Sequence, residues 1–337
     1  MVLTNESRVE LYHNKEIILE NSYPNSYPVD IRAVKAIAGR VFPTAPTQIE
    51  RVVEGVSTYV YRIGYRNETF YLRVLPEEDA SFSPEVTVHT QLRQMQVKVP
   101  EVIYFEHYNE ALQRSIMVTT EIKGHPISRS TLLSTEELHA ILGEAGRDLA
   151  RINSISVDGF GWVERDQPYT EHSLLRAQWS AHRAFMLEHW DADLAFLARN
   201  TLHTSEITQL EQLLSRYNSW LDVEQAYLAH GDFDITHIYQ DNGHYTGIID
   251  FGEIRGTSRW YDLGLFHMCT EEDHPWQLLP ALLSGYGEII SLSTEHEQLI
   301  RFTSILIRIR TLSRVLQKRP HTQYQLQGFR DDLAALL

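Results

Sequence analysis

The chain of 337 residues is short of cysteine, of basic residues and of long apolar runs. Its single cysteine, Cys269, can close no disulfide within the chain and cannot build a thiolate zinc site. Lysine and arginine number 30 against 45 aspartates and glutamates, a formal net charge of −15. A nucleic-acid footprint needs a basic face, so this balance argues against such a partner. No apolar run reaches the roughly eighteen residues of a membrane span. The opening segment Met1–Arg8 has no basic region leading into an apolar core, the pattern of a secretory leader. These absences point to a soluble, cytoplasmic protein without nucleic-acid or membrane partners, and leave its oligomeric state open. The length exceeds what one core comfortably serves, so two units are expected.

What is present divides the chain in the same way. From Thr47 to Glu121 the pattern is mainly strand. Gln48–Glu54, Tyr59–Tyr65 and Thr69–Leu75 are β-branched and aromatic runs, punctuated by Gly55 and the Arg66-Asn67 pair. Val102–Phe105 and Ser115–Thr120 read as further strands around a polar loop, His107–Leu112. One helix interrupts them, opened by Ser83-Pro84 and carrying Val88, Leu92 and Met95 at helical spacing. Glu85 shares that apolar face, where an acid calls for a partner; attraction to the helix N-terminus is the alternative explanation.

After Gly124 the pattern turns helical. Leu138, Ile141, Leu142, Ala145, Leu149 and Ile152 form one face behind a cap at Ser134 or Thr135. Further helices are expected over His172–Ala198 and His296–Leu316. Residues 1–45 form a lead-in broken by prolines. The expectation is an α+β chain with a small antiparallel-sheet domain over 46–122 and a larger, mainly helical one over 123–337.

The segment His230-Gly-Asp232-Phe-Asp-Ile-Thr-His237, followed by Ile249-Asp250-Phe251-Gly252, stands apart. Between its halves Asn242-Gly243 predicts a two-residue hairpin turn. Asp241 then sits opposite His244, His237 opposite Ile248 and Ile235 opposite Asp250. In that register His237 and Asp250 project from one face as diagonal neighbours, roughly 7–8 Å apart at the backbone.

These residues resemble the catalytic loop and metal-binding motif of kinase-like folds. Gly231 after the histidine, Leu149–Asn153 and Gly159-Phe-Gly-Trp162 make the chain similar to the aminoglycoside phosphotransferase and choline kinase family. The resemblance covers roughly 49–287 and implies a two-lobed, protein-kinase-like fold. It implies transfer of a phosphoryl group from ATP, with GTP as the alternative, to the hydroxyl of a small molecule. By the same resemblance Asp232 receives the acceptor proton and Asp250 binds magnesium, with manganese as the alternative. His230 braces the loop. Ser57 and Thr58 lie where a loop covers phosphates, and Arg73 stands where the family has a phosphate-binding lysine, with Glu85 as its partner. Glu121 and Ile122 fall at the hinge that holds the base, and Glu253 and Trp260 on the acceptor side.

His237 departs from the pattern, which has asparagine there. Three readings stay open: a metal ligand with altered preference, a hydrogen-bonding residue beside a magnesium held by Asp250 and water, or a site without catalysis. Asp234 is either a substitute oxygen donor or a solvated loop acid. Acids interspersed with aromatics along 174–197 suit a polycationic acceptor such as an aminoglycoside antibiotic, the first choice. Choline, homoserine or a sugar amine is second. A silent nucleotide-binding scaffold is the rival from another class.

Overall fold

The computed structural model describes residues 29–53, 58–130, 132–166, 173–270, 278–320 and 326–337. The chain forms two compact units, one of residues 1–90, 100–121 and 165–171, the other of 91–99, 122–164 and 172–337.

The first unit is built on an antiparallel sheet of β1 (Gln48–Val52), β2 (Tyr59–Tyr65), β3 (Glu68–Val74), β4 (Val102–Asn109) and β5 (Arg114–Thr120), in the order β1-β2-β3-β5-β4. Arg66 and Asn67, both at positive φ, make the tight turn between β2 and β3. Helix α1 (Ile31–Val41), capped by Asp30, sets Val34, Ile37 and Ala38 into one core with Ile63, Leu72 and Val118. This stretch of the lead-in therefore shares the core of the sheet. Helix α2 (Ser83–Gln94) places Val86 against Leu75, Phe82 and Met117. The polar loop expected at His107–Leu112 begins as strand, because β4 continues to Asn109. Asn109 closes the turn by accepting a hydrogen bond from Leu112 N, 3.0 Å.

In the second unit the strands are β6 (His125–Pro126), β7 (Ser156–Val157), β8 (Phe160–Val163), β9 (Ala177–Trp179), β10 (Ala226–Ala229), β11 (Ile238–Asp241), β12 (His244–Ile248) and β13 (Arg255–Thr257). They form two sheets, β7-β10-β13-β8-β9 and β12-β11-β6. The helices are α3 (Thr135–Ile152), α4 (His182–Met186), α5 (Trp190–Asn200), α6 (Thr204–Arg216), α7 (Tyr261–Thr270), α8 (Leu278–Gly287), α9 (His296–Lys318) and α10 (Gln327–Leu336). Ser134 caps α3 in a reciprocal box with Glu137. Phe302, Ile305, Ile309 and Leu312 of α9 join Leu197, Leu210, Leu213 and Phe329 in one apolar cluster. Each such side chain contributes about 1.5–3 kcal/mol on burial.

The single helix expected over His172–Ala198 is three elements, among the described residues of that span. Residues 177–179 are captured as β9, with Trp179 opposite Phe160 of β8. The chain then forms α4 and, after a turn at 187–189, α5. The helical spacing of Trp179, Phe185 and Trp190 is thus met by aromatics on separate elements, because cross-strand pairing outweighs local helix propensity.

His182 at the start of α4 is buried against Phe160 and donates from Nδ1 to Leu221 O, 3.3 Å. Burial above all pushes its pKa down to about 4. The folded pKa lies below the unfolded value of about 6.5, so protons bind the unfolded chain preferentially. The stability held by the neutral ring is complete above pH ~6.5 and declines as pH falls toward 4, a loss of about 3 kcal/mol. Thermal melts at pH 7 and pH 4 should therefore show a smaller acid drop in His182→Gln than in the unmodified chain. Equal drops in both would rule out this histidine as the source.

Candidate active site

The loop leaving β10 is held from inside the second unit by one buried acid. Asp262, at the start of α7, receives His230 N at 2.9 Å and Gly231 N at 2.9 Å through its two oxygens, and Asn153 Nδ2 at 3.0 Å. Gly231 has φ +85, and a Cβ there would lie 1.9 Å from Glu253 O, so no other residue fits. Arg255 closes the other side, donating to Gly231 O at 3.2 Å, to Glu253 O at 3.0 Å and to Tyr261 Oη at 2.7 Å. Its guanidinium lies 4.1 Å from the Trp162 ring centroid.

His230 is fully buried and edge-on to Phe251. Its Nε2 meets Ile249 O at 2.9 Å, and a carbonyl only accepts, so Nε2 carries the proton. Nδ1 is left to accept from Asp232 N, 3.3 Å. Burial, followed by the charge of His237, holds its pKa below the ordinary histidine value, in keeping with a neutral brace. The side chain of Asp232 emerges from this frame 18 % exposed.

The Asn242-Gly243 turn forms with both residues at positive φ, and Asp241 faces His244 as expected. A bulge then shifts the register between Tyr239 and Gln240, so that Ile238, not His237, faces Ile248. The expected pairings of His237 with Ile248 and of Ile235 with Asp250 are thereby corrected, because β12 carries one extra residue. His237 instead accepts at its backbone oxygen from Ile249 N, 3.1 Å. Asp250 takes a left-handed conformation, φ 68, which costs a non-glycine residue of order 1 kcal/mol. Its carboxylate Oδ2 lies 4.0 Å from His237 Nε2. His237 Nδ1 donates to Asp232 O at 2.7 Å, which turns the Nε2 lone pair of the neutral ring toward Asp250.

Asp234 is completely buried, not a solvated loop acid, and Oδ1 receives both Thr236 N and its hydroxyl. Asp232, Asp234 and His237 each offer a ligand atom within 4.8 Å of the others. The Nδ1 edge of His237 is occupied by its proton, so its lone pair belongs on the Asp250 side.

In the first unit Arg73 Nη1 meets Glu85 Oε2 at 2.7 Å, with the glutamate side chain 1 % exposed. Arg165 Nη2 meets the other oxygen at 3.1 Å. Glu85 thus has the partner its place on an apolar face required, and a second one without any signal in local spacing. Breaking so buried a pair costs about 3–5 kcal/mol. Ser57 lies outside the described residues; Thr58 is half-buried just before β2. The Glu121 carboxylate accepts from Tyr71 Oη at 3.2 Å. The Ile122 side chain lies beside Gly247. Glu253 pairs with Arg255 at 3.1 Å, and Trp260 is half-buried before α7. Arg255, which ties Glu253 to Gly231, lay inside the motif segment but had no sequence signal for that role.

The family model for a phosphotransferase enzyme family matches residues 48–299. No curated protein sequence matches the chain significantly. Among solved structures, aminoglycoside phosphotransferase APH(4)-Ia is similar at 18% identity and TM-score 0.58, covering 91% of this chain and 95% of that one. A variant of an aminoglycoside 2'-phosphotransferase in complex with GDP has 16% identity and TM-score 0.58, covering 91% and 95%. A protein from Haemophilus somnus 129PT, assigned by name alone as a fructosamine-3-kinase, has 12% identity and TM-score 0.57, covering 91% and 97%. These likenesses identify the fold as protein-kinase-like. With the family model spanning most of its length, the chain belongs to the phosphotransferase enzyme family and is a phosphotransferase.

Proposed function

We propose that the protein transfers the γ-phosphoryl group of ATP to a hydroxyl of a small molecule, with Asp232 accepting the hydroxyl proton. The observation that carries this reading is the frame just described: one buried acid, Asp262, aims Asp232, while His230 ties that loop to the residue before Asp250. Phosphoryl transfer asks a protein mainly to position groups and neutralise charge, and this frame does the positioning. Arg73, paired with Glu85, and Thr58 are the residues assigned to the phosphates, and Glu121 and Ile122 those assigned to the base. Glu253 and Trp260 border the acceptor.

The donor set of His237 Nε2 and Asp250 Oδ2, 4.0 Å apart, suits a divalent ion between them. Such an ion, when bound, would neutralise the phosphate oxygens. An imidazole ligand favours manganese over magnesium more than an amide oxygen does. His237→Asn is therefore expected to lower the ratio of manganese- to magnesium-supported activity, and to weaken Mn²⁺ binding followed by loss of its free electron-spin resonance signal. Unchanged ratio and binding would exclude His237 as a ligand.

Solved relatives named for aminoglycosides support an antibiotic acceptor. One observation favours a metabolic acceptor instead. Of the acids along 174–197, Asp193 is buried with both oxygens on Arg310, and Glu188 lies 3.3 Å from His189. Asp193 is thus not left to receive a polycation, whereas Glu188 and Asp191 are exposed. An ADP-release assay over amino alcohols, hydroxy acids and aminoglycosides, with Asp232→Asn as the control, tests the reading.

A further inference from the structure

A carboxylate as buried as that of Glu85 needs a partner at each of its oxygens. Arg73 Nη1 donates to Oε2 at 2.7 Å. Among the described residues Oε1 receives no hydrogen bond, and the charge beside it is Arg165 Nη2, at 3.1 Å. One acid thus stands between two arginines, all three within the first unit.

The backbone fixes each member of this triad separately. Arg73 lies on β3 between Val60 of β2 and Met117 of β5, with its guanidinium 5.2 Å from the Phe82 ring centroid. Glu85 belongs to the first turn of α2. Arg165 arrives from a segment remote in sequence, yet it is tied to the start of the same helix. Ser81 N donates to Arg165 O at 2.9 Å, and Ser81 Oγ accepts from Ser83 N at 3.1 Å. The loop that opens α2 therefore sets Arg165 against the acid that α2 carries.

We infer that Arg165 is a positioning residue of the nucleotide site, holding Glu85 so that Arg73 stays available to the phosphates of ATP. The inference rests on the phosphotransfer reading, in which Arg73 is the phosphate-binding cation. A carboxylate held at one oxygen turns readily about its last side-chain torsion, and a charge at the other oxygen stops that turn. Without Arg165, Oε1 has no compensating charge and turns toward Arg73 as well. Arg73 then closes a two-pronged bond on Glu85, and its guanidinium is drawn away from the nucleotide. Arg165 acts through Glu85 and Arg73, without touching the phosphates itself.

The test is calorimetric binding of ATP and of adenosine to the full chain with Mg²⁺ present, which needs no acceptor. Arg165→Gln should raise the Kd for ATP about tenfold and leave that for adenosine within about twofold. Arg73→Gln should raise the ATP Kd about 30-fold. The double variant should be no weaker than Arg73→Gln alone, because Arg165 works only through Arg73. Arg165→Lys keeps the charge without the fork and should lose about threefold; it carries the test if the glutamine variant does not fold. A merely structural arginine would lower the Tm and leave the ratio of ATP to adenosine affinity unchanged. The inference is overturned by an unchanged ATP Kd in both Arg165 variants, or by equal weakening of adenosine. It is also overturned if the two single losses multiply in the double variant, which would make Arg165 a phosphate contact in its own right. In each of these cases ATP binding by the unmodified chain leaves the phosphotransfer reading standing. If the unmodified chain binds neither ATP nor GTP, both readings fall.

Discussion

Asparagine in place of Asp232 is expected to lower kcat about 10³-fold and to leave the fold intact. A positioned general base contributes roughly 10²–10⁴ to rate, and an amide has the same shape but cannot take the proton. The substitution isolates chemistry because the loop is held by backbone groups and by Asp262, not by the Asp232 carboxylate. His237 Nδ1 lies 3.6 Å from Asp232 Oδ2, too far for a good hydrogen bond, and gives its proton to the backbone oxygen. Tm should stay within about 1 °C of the parent. Steady-state ADP release with saturating acceptor measures the effect. Turnover within tenfold of the parent would remove Asp232 from the proton transfer.

Asp262→Ala should be the most destabilising change near the site, by about 3–5 kcal/mol. It strands two buried backbone donors, His230 N and Gly231 N, and takes from Asn153 Nδ2 one of its two acceptors, the other being Leu228 O, in a place where Asp262 itself is 0 % exposed. Tyr286 Oη, which donates to Asn153 Oδ1 at 3.2 Å, loses its support as well. Asp262→Asn keeps one acceptor oxygen and turns an NH₂ toward the remaining donor, so it should cost less. Urea titration reads the difference as a shift of midpoint at unchanged slope. A loss below about 1 kcal/mol in the alanine variant would mean that water replaces the carboxylate. Whatever folded fraction remains should also turn over slowly, because a displacement of about 1 Å in a positioning loop can cost 10²-fold.

The division of the chain into a strand-rich and a helix-rich part was legible in its periodicity, as was the cap at Ser134. So was the Asn242-Gly243 turn, since its two positive φ angles are a local demand that few residue pairs meet. Two steps beyond that turn the register depended on a bulge, and local alternation carries no sign of one extra residue. His237 and Asp250 still come within 4.0 Å, but through the left-handed turn at Asp250 and not through strand parity. The span 172–198 failed for a related reason: its aromatics fit a helical stripe, and β8 offered Trp179 a better partner.

By itself the sequence pointed to the class of chemistry, because the His-Gly-Asp and Asp-Phe-Gly segments are each contiguous and carry the resemblance to kinase-like folds. Only the tertiary structure decided which charges are spent. Arg165 on Glu85, Arg310 on Asp193 and Arg255 on Glu253 join residues far apart in the chain or set by a turn. The excess of acids over bases is a sum over the whole chain, and a sum cannot say which acid meets which cation; burial and pairing across the fold say it.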